Sequence, residues 1–152
     1  MSEDARFADG AERPLRLVAQ DEDDLRVIAA LCQDAVTTGA DIAWDRRRRR
    51  LDLLVNRFRW ERGAGDPERV RAVLTAEGAL AVASDGFARD ADTVLSLLSL
   101  SFEAGEAPGG TLMLTFAGDG ALRAEVEALE VRLVDVTRPY AALSGRTPDH
   151  GA

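Results

Sequence analysis

The sequence contains no lysine, and its positive charge comes from 19 arginines. A Schiff base on a lysine amine and a Walker-type phosphate loop are therefore excluded. Cys32 and His150 are the only residues of their types, whereas a zinc site of cysteine and histidine needs about four ligands. A serine or cysteine nucleophile that needs a histidine base has only His150, close to the end of the chain. Lysine, zinc and histidine-assisted chemistry are thus not expected.

One cysteine also leaves no intrachain disulfide, which fits a reducing compartment. No apolar run approaches the ~20 residues that cross a bilayer, and residues 1–12 carry acids without the apolar core of a signal peptide. We therefore expect a cytoplasmic protein without membrane contact. Its 152 residues, 46% of them hydrophobic, suit one domain of ordinary core size.

The charge is negative overall but unevenly distributed along the chain. The formal net charge of -8 argues against nucleic acid as the partner. Residues 45–71 nevertheless contain ten arginines against five acids, a sum of +5, which leaves -13 for the remainder. We expect any anion-binding surface to lie in this middle segment.

The chain is predicted to have three parts. Residues 1–13 are polar, and residues 140–152 lack apolar periodicity; both are expected to be disordered tails. Between them, residues 14–139 are predicted to form a single α+β domain.

One helix is predicted, over residues 21–34. Four adjacent acids at 21–24 suit a helix N-terminus, where unpaired backbone N–H groups and the helix dipole favour carboxylates. Leu25, Ile28, Leu31 and Cys32 then recur at the spacing of one helical face. The helix is therefore expected to pack this stripe against a sheet, with Cys32 as a small buried hydrophobe.

After the helix, the apolar pattern changes to the period of two that is typical of strands. Residues 36–44 and 50–60 are predicted as strands around a turn, and Glu77-Gly78 as a tight hairpin. Residues 98–126 are predicted as a three-stranded meander, followed by a bulge or bend at Ala128-Leu129. The predicted fold is α+β, with a mostly antiparallel curved sheet or open barrel of about eight strands and one N-terminal helix.

Several strings resemble a bacterial family named only as domain of unknown function 2948. The most specific string runs over residues 54–61, LVNRFRWE, and others are Leu15-Arg16-Leu17 and Gly109-Gly110-Thr111. The resemblance covers the chain from about Leu15 to Asp135. It implies no activity, so no catalytic residue is carried over from it.

The candidate ligand site lies on the strand predicted at 50–60. Alternation places Arg57 and Arg59 on one side and Asn56, Phe58 and Trp60 on the other. Arginines beside exposed aromatic rings hold anionic or stacking ligands. The competing interpretation makes Phe58 and Trp60 core residues, and the two arginines surface partners of Glu61 and Glu68. The predicted ligand-binding residues are Arg50, Asn56, Arg57, Arg59 and Trp60.

Three further charged sets have two interpretations each. The arginines at 46–50 could grip phosphates or form a solvated hairpin tip. The acids at 21–24 could bind a hard cation or cap the helix. Glu125 and Glu127 could act as a general acid and base or hold a cation, or could form the wet side of a half-buried strand.

Two functional hypotheses follow. The first is a small binding or accessory protein without catalysis, whose partner is a protein or an anionic small molecule. The alternative is an enzyme that uses only carboxylates and arginines on a phosphorylated or carboxylated metabolite. No cofactor, metal site or catalytic residue is predicted, and the pattern does not indicate an oligomeric state. A deep pocket in which Glu125 or Glu127 faces an arginine favours the enzyme, whereas a flat aromatic-rich patch favours the binding protein.

Overall fold

The computed structural model describes residues 14–59 and 68–136, together with the backbone of residues 140 and 141. These residues form eleven strands, one α-helix and one 3-10 helix. In chain order the elements are β1 (Arg16–Ala19), α1 (Glu22–Leu31), β2 (Val36–Thr38), the 3-10 helix (Gly39–Asp41), β3 (Ile42–Asp45), β4 (Arg50–Phe58), β5 (Glu68–Glu77), β6 (Ala79–Asp85), β7 (Val94–Ala104), β8 (Gly110–Phe116), β9 (Ala121–Val126), β10 (Val131–Asp135) and β11 (Tyr140–Ala141).

The strands form one open, antiparallel sheet. Its order is β1-β10-β5-β4-β2-β7-β8-β9-β6, with β3 added to β4 and β11 added to β5. Every strand pair is antiparallel. The prediction of an α+β fold with an open, mostly antiparallel sheet and one helix is therefore confirmed.

The prediction of about eight strands is too low, partly because residues 36–44 do not form one strand. They divide into β2, a 3-10 turn and β3. At this turn the Gly39 N–H donates to the Thr93 carbonyl at 3.0 Å and the Ala40 N–H to the Asp90 carbonyl at 2.9 Å. A Cβ atom on Gly39 would lie 2.0 Å from the Ala88 carbonyl oxygen. Close packing against the loop before β7 therefore interrupts the strand.

Helix α1 begins where the sequence predicts and ends sooner. Asp21 is its N-cap, because a side-chain oxygen accepts a hydrogen bond from the Asp24 N–H at 2.8 Å. The predicted end at residue 34 is wrong, since the helix ends at Leu31 and Asp34 has a φ of 63°. There the Asp34 N–H donates to the Leu97 carbonyl of β7 at 3.0 Å, so pairing with the sheet replaces the last helical turn. Leu25 and Ile28 are buried, as predicted.

The meander is confirmed, because β7, β8 and β9 pair in sequence order. The prediction of a hairpin at Glu77-Gly78 is wrong, because β5 pairs with β4 and β10, whereas β6 pairs with β9. Gly78 has a φ of 68°, a conformation that glycine adopts readily. Its carbonyl accepts from the Glu127 N–H at 3.0 Å, and the chain bends at Glu127 and Ala128, one residue before the predicted position at Ala128-Leu129. Gly78 thus directs the chain from one part of the sheet into the other.

A single hydrophobic cluster connects both parts of the sheet with α1. One side of the cluster comes from β4, β5 and β10, and the other from β7, β8 and β9. Burial of this apolar area is the main stabilising term of the fold. Its fully buried large side chains include Ile28, Leu51, Leu112, Leu114, Phe116, Leu122, Val131 and Leu133.

The predicted tails lie mostly outside the described residues. Residues 1–13 and 142–152 are not described. Tyr140 and Ala141 pair with Arg69 and Glu68 of β5, and the disordered tail over residues 140–152 stays a prediction. In the described part of the chain, none of the helical structure has the length and apolar character that spanning a membrane requires.

Candidate functional site

Strands β4 and β5 build the candidate site, and they expose different chemistry on their two sides. Along β4, Leu51, Leu53 and Val55 are buried. The alternate residues Leu54 and Asn56 are half-buried and point outward. The predicted division of this strand into two faces is confirmed. Each predicted site residue that the structure describes can therefore be assigned to the inner or the outer face.

Arg57 continues the inner face and is fully buried. Its Nε and Nη2 atoms donate to the two carboxylate oxygens of Asp135 at 3.0 and 2.9 Å, and its Nη1 donates to the Phe58 carbonyl at 3.0 Å. The Leu15 N–H donates to the same carboxylate at 3.0 Å. The interpretation of Arg57 as a surface residue is wrong, because it forms a two-point ion pair with β10 inside the domain.

Arg59 also points inward, with 6% of its surface exposed. Its Nη1 donates to a carboxylate oxygen of Glu68 at 2.6 Å. Pairing of Arg59 with Glu68 is therefore confirmed, although the arginine is buried and not at the surface. Ligand binding by Arg57 and Arg59 stays a prediction, and both guanidinium groups lie on the side of the sheet that faces the interior.

Cys32 lies at the end of α1, in the electrostatic field of the buried ion pair. Burial raises the pKa of its thiol to about 12, and the opposing effect of Arg57 is smaller. The thiol is therefore protonated near neutral pH, which excludes a reactive thiolate. The interpretation of Cys32 as a small buried hydrophobe is confirmed.

The outer face of β4 and β5 pairs an aromatic ring and an amide with two arginines. Phe58 lies opposite Arg69, and Asn56 lies opposite Arg71. The Arg69 guanidinium carbon is 5.0 Å from the centre of the Phe58 ring, which is within the range of a cation–π contact. Arg71 is exposed, whereas Asn56, Phe58 and Arg69 are half-buried.

An apolar pair continues this surface along the two strands. Leu54 lies opposite Val73, and both side chains are half-buried. In the next strand, Val134 of β10 lies opposite Val73. An apolar area thus borders the cationic one. We call this surface the outer patch; it consists of Leu54, Asn56, Phe58, Arg69, Arg71 and Val73.

Only Asn56 among the predicted ligand-binding residues belongs to the outer patch. Arg50 lies at the other end of β4, where its Nε atom is 3.7 Å from a carboxylate oxygen of Glu77 and has no hydrogen-bond partner among the described residues. Trp60 lies outside the residues that the structure describes. Arg69 and Arg71 were not among the predicted ligand-binding residues, although both belong to the outer patch. Their alternation with the apolar residues of β5 indicated a shared face, but not which residues of β4 they oppose.

The arginine-rich turn between β3 and β4 is exposed, as the hairpin-tip interpretation states. Arg46 lies over the Trp44 ring, with 5.1 Å between the guanidinium carbon and the ring centre. Arg49 forms an ion pair with Glu127, and both side chains are about half exposed. Glu125 accepts a hydrogen bond from Thr111 at 3.0 Å. Glu125 thus lies on the solvent-exposed side of β9, and Glu127 lies exposed in the bend after it.

A groove of about 450 Å³ lies beside the N-terminus of α1. Its lining is apolar and acidic, and a hydrogen bond from Arg132 lowers the pKa of Glu130 at its edge. Among the described residues, none of the outer patch lines this groove, and no cluster of cysteine, histidine, aspartate or glutamate could hold a metal ion. The groove is lined by Gln20, Asp21, Glu22, Phe102, Pro108, Ala128, Leu129 and Glu130.

Comparison with protein families finds one match, which covers residues 15–150. The family is described as "Protein of unknown function (DUF2948)". Comparisons with curated proteins and with solved structures find no match. The match extends over most of the 152 residues and confirms the resemblance to this family. The chain therefore belongs to the DUF2948 family of proteins of unknown function.

Proposed function

We propose that this protein is a binding module without catalysis, and that the outer patch holds its ligand. The ligand class is a small anion with phosphate or carboxylate groups. The proposal depends mainly on one observation: the register of β4 and β5 places Phe58 beside Arg69 and Asn56 beside Arg71 on the outer face. Guanidinium forks recognise phosphate and carboxylate groups, and the neighbouring ring offers a stacking surface.

The charge distribution supports this assignment. The segment of residues 45–71 has a sum of +5 in a chain whose net charge is -8. Its two innermost arginines, Arg57 and Arg59, are matched by Asp135 and Glu68 inside the domain. Arg69 and Arg71 are the arginines of β5 on the outer face, and guanidinium groups at a surface attract anions.

The contacts of the two glutamates favour binding over the enzyme alternative. Glu127 is paired with Arg49 at an exposed position, and Glu125 accepts a hydrogen bond from Thr111. Neither residue lines the groove beside α1. A general acid or base acts within hydrogen-bond reach of a substrate that is held in a pocket. The exposure of both carboxylates is not the arrangement that this chemistry uses.

A salt titration tests the proposal. The probes are pyrophosphate and mixed single-stranded oligonucleotides, and the measured quantity is the Kd of the full chain at increasing salt concentration. We expect pyrophosphate binding to weaken as salt screens the charges. The double variant Arg69→Gln/Arg71→Gln should raise the Kd about tenfold or more, because a hydrogen bond to a charged group contributes about 1.5 to 3 kcal/mol.

The matched control is Arg47→Gln/Arg48→Gln in the exposed turn between β3 and β4. It removes the same charge without altering the outer patch, so its Kd should stay close to that of the wild type. Equal weakening by both double variants would mean that only the overall charge matters. That result, or no pyrophosphate binding at low salt, contradicts the proposal. Oligonucleotide binding alone would assign nucleic acid as the partner in place of a small anion.

A further inference from the structure

The second exposed feature of the fold is the edge of the sheet at β6. This strand pairs with β9 on one side and ends the strand order. Among the described residues, the backbone of residues 80–85 forms hydrogen bonds only within the ladder with β9. The other backbone groups of an edge strand can bond to another strand, which makes such an edge an association site unless it is protected.

The sequence of β6 contains little of the usual edge protection. Its residues, ALAVASD, include no proline and no charge before Asp85. Leu80 is 49% exposed, and Ala81 and Ala83 are exposed as well. The opposite edge strand, β1, is only four residues long and contacts α1. Thus β6 is the long, nearly uncharged edge of this sheet, and natural proteins place lysine, proline or a covering element at such edges.

We infer that β6 pairs antiparallel with β6 of a second copy of this chain, with Val82 on the two-fold axis. Two facing strands that continue one sheet must match their inward and outward residues. Val82 is half-buried toward the core, whereas Ala81 and Ala83 point outward. An axis centred on residue 81, 82 or 83 satisfies this condition, and the neighbouring charges on β9 decide among them.

The charges on β9 favour the axis at Val82. Ala81 lies opposite Glu125 and Ala83 lies opposite Arg123 in the β6–β9 ladder. An axis at residue 81 would align Glu125 with its copy, and an axis at residue 83 would align Arg123 with its copy. With the axis at Val82, Ala83 of one copy faces Ala81 of the other. Each outward row of side chains then runs from Arg123 of one copy, through the two alanines, to Glu125 of the other copy. The two small side chains leave room for the long charged ones to approach each other.

The pairing is limited to the middle of β6. The register of β6 on β9 shifts between Ala79 and Ala81, so the alternation of inward and outward residues is interrupted at Leu80. The Ala79 N–H donates to the Arg49 carbonyl at 2.8 Å and the Ala79 carbonyl accepts from Trp44 Nε1 at 3.2 Å, so β3 and the turn after it occupy this end of the edge. An edge of seven residues buries less area than a stable dimer interface. The expected association is therefore weak and depends on protein concentration.

Sedimentation velocity of the full chain over a wide range of concentrations tests this inference. We expect a monomer–dimer equilibrium in the wild type, and the variant Ala81→Lys/Ala83→Lys should raise its dimer Kd about tenfold or more, because like charges would then meet across the edge. The matched control is Ala30→Lys/Ala117→Lys, which adds the same charge at two exposed alanines away from β6. A wild type that stays monomeric, or an edge variant that dimerises equally well, overturns the inference.

A cross-linking experiment tests the register independently of charge. Facing residues of an antiparallel pair have Cα atoms about 4.5 to 5.5 Å apart, which a disulfide can span. Val82→Cys should therefore form a disulfide-linked dimer under oxidised glutathione faster than the exposed control Ala30→Cys. Native Cys32 is buried with a raised pKa and should not compete. Equal rates for the two variants rule out the axis at Val82.

Discussion

At the scale of single residues, the ion pair of Arg57 and Asp135 places two opposite charges inside the domain. Both side chains are almost fully buried, with 0% and 2% exposed. An arginine in a core needs a matched carboxylate, because burial of an unpaired charge costs several kcal/mol. The pair joins β4 to β10 across 78 positions of sequence. It therefore connects distant parts of the chain within the inner side of the sheet.

Removal of one partner should reveal this dependence. We predict that Asp135→Asn lowers the free energy of unfolding by about 3 to 5 kcal/mol, because Arg57 then stays buried without its counter-charge. Urea denaturation measures the change. The control Asp23→Asn removes the partner of Arg26 at the exposed end of α1, where a change of about 0 to 1 kcal/mol is expected. Similar values for the two variants contradict the structural role of the buried pair.

Cys32 gives a prediction for alkaline pH. Its pKa is about 12 in the folded protein, against an ordinary value of 9.0. Between these pH values the unfolded chain loses the thiol proton while the folded chain keeps it, so rising pH favours unfolding. The thiol should therefore lower stability by about 1.4 kcal/mol per pH unit across this window. Urea titrations of wild type and Cys32→Ala compare the two slopes, and identical slopes refute the prediction.

At the scale of elements, the local sequence pattern predicted the features that depend on residues close together in the chain. The acids at 21–24 and the following apolar stripe indicated α1, and Asp21 is its N-cap. The period of two in β4 predicted which residues share a face. Pairing between distant strands was not predictable in the same way. Glu77-Gly78 has the composition of a hairpin turn, yet β5 pairs with β4 and β10, because long-range packing decides strand partners.

The stripe of α1 allows a direct test of the helix assignment. Ile28 is 1% exposed in the core, whereas its neighbour Val27 is 52% exposed. Ile28→Asp should unfold the domain, because an unpaired buried charge costs several kcal/mol against a total stability of about 5 to 15. Val27→Asp should change stability by no more than about 0.5 kcal/mol. Thermal denaturation compares the Tm of the two variants, and an unchanged Tm for Ile28→Asp would contradict the helix assignment.

The candidate site shows the same limit of sequence reasoning at a finer level. The middle segment was predicted to carry the anion-binding surface, which stays a prediction, and its residues Arg57 and Arg59 point inward. The prediction that Phe58 is a core residue is wrong, since Phe58 lies half-buried on the outer face. A single sequence does not reveal that Asp135 lies beside Arg57. Nor does it reveal the register that places Arg69 beside Phe58.

At the scale of the whole molecule, the open sheet encloses one core and exposes two surfaces of different character. The outer patch on β4 and β5 combines arginine, amide and apolar groups, and the β6 edge is nearly free of charge. The two surfaces belong to different parts of the sheet. We therefore expect the proposed ligand binding at the outer patch and the proposed self-association at β6 to be separable by mutation.

The most direct test of the proposed function is amide chemical-shift mapping of the isotope-labelled full chain during titration with pyrophosphate at low salt. The largest changes should occur along β4 and β5 around Asn56, Phe58, Arg69 and Arg71, and Arg69→Gln/Arg71→Gln should reduce them while the rest of the spectrum stays unchanged. Changes centred on the arginine turn at residues 46–49, or none at any pyrophosphate concentration, would contradict an anion site on the outer patch.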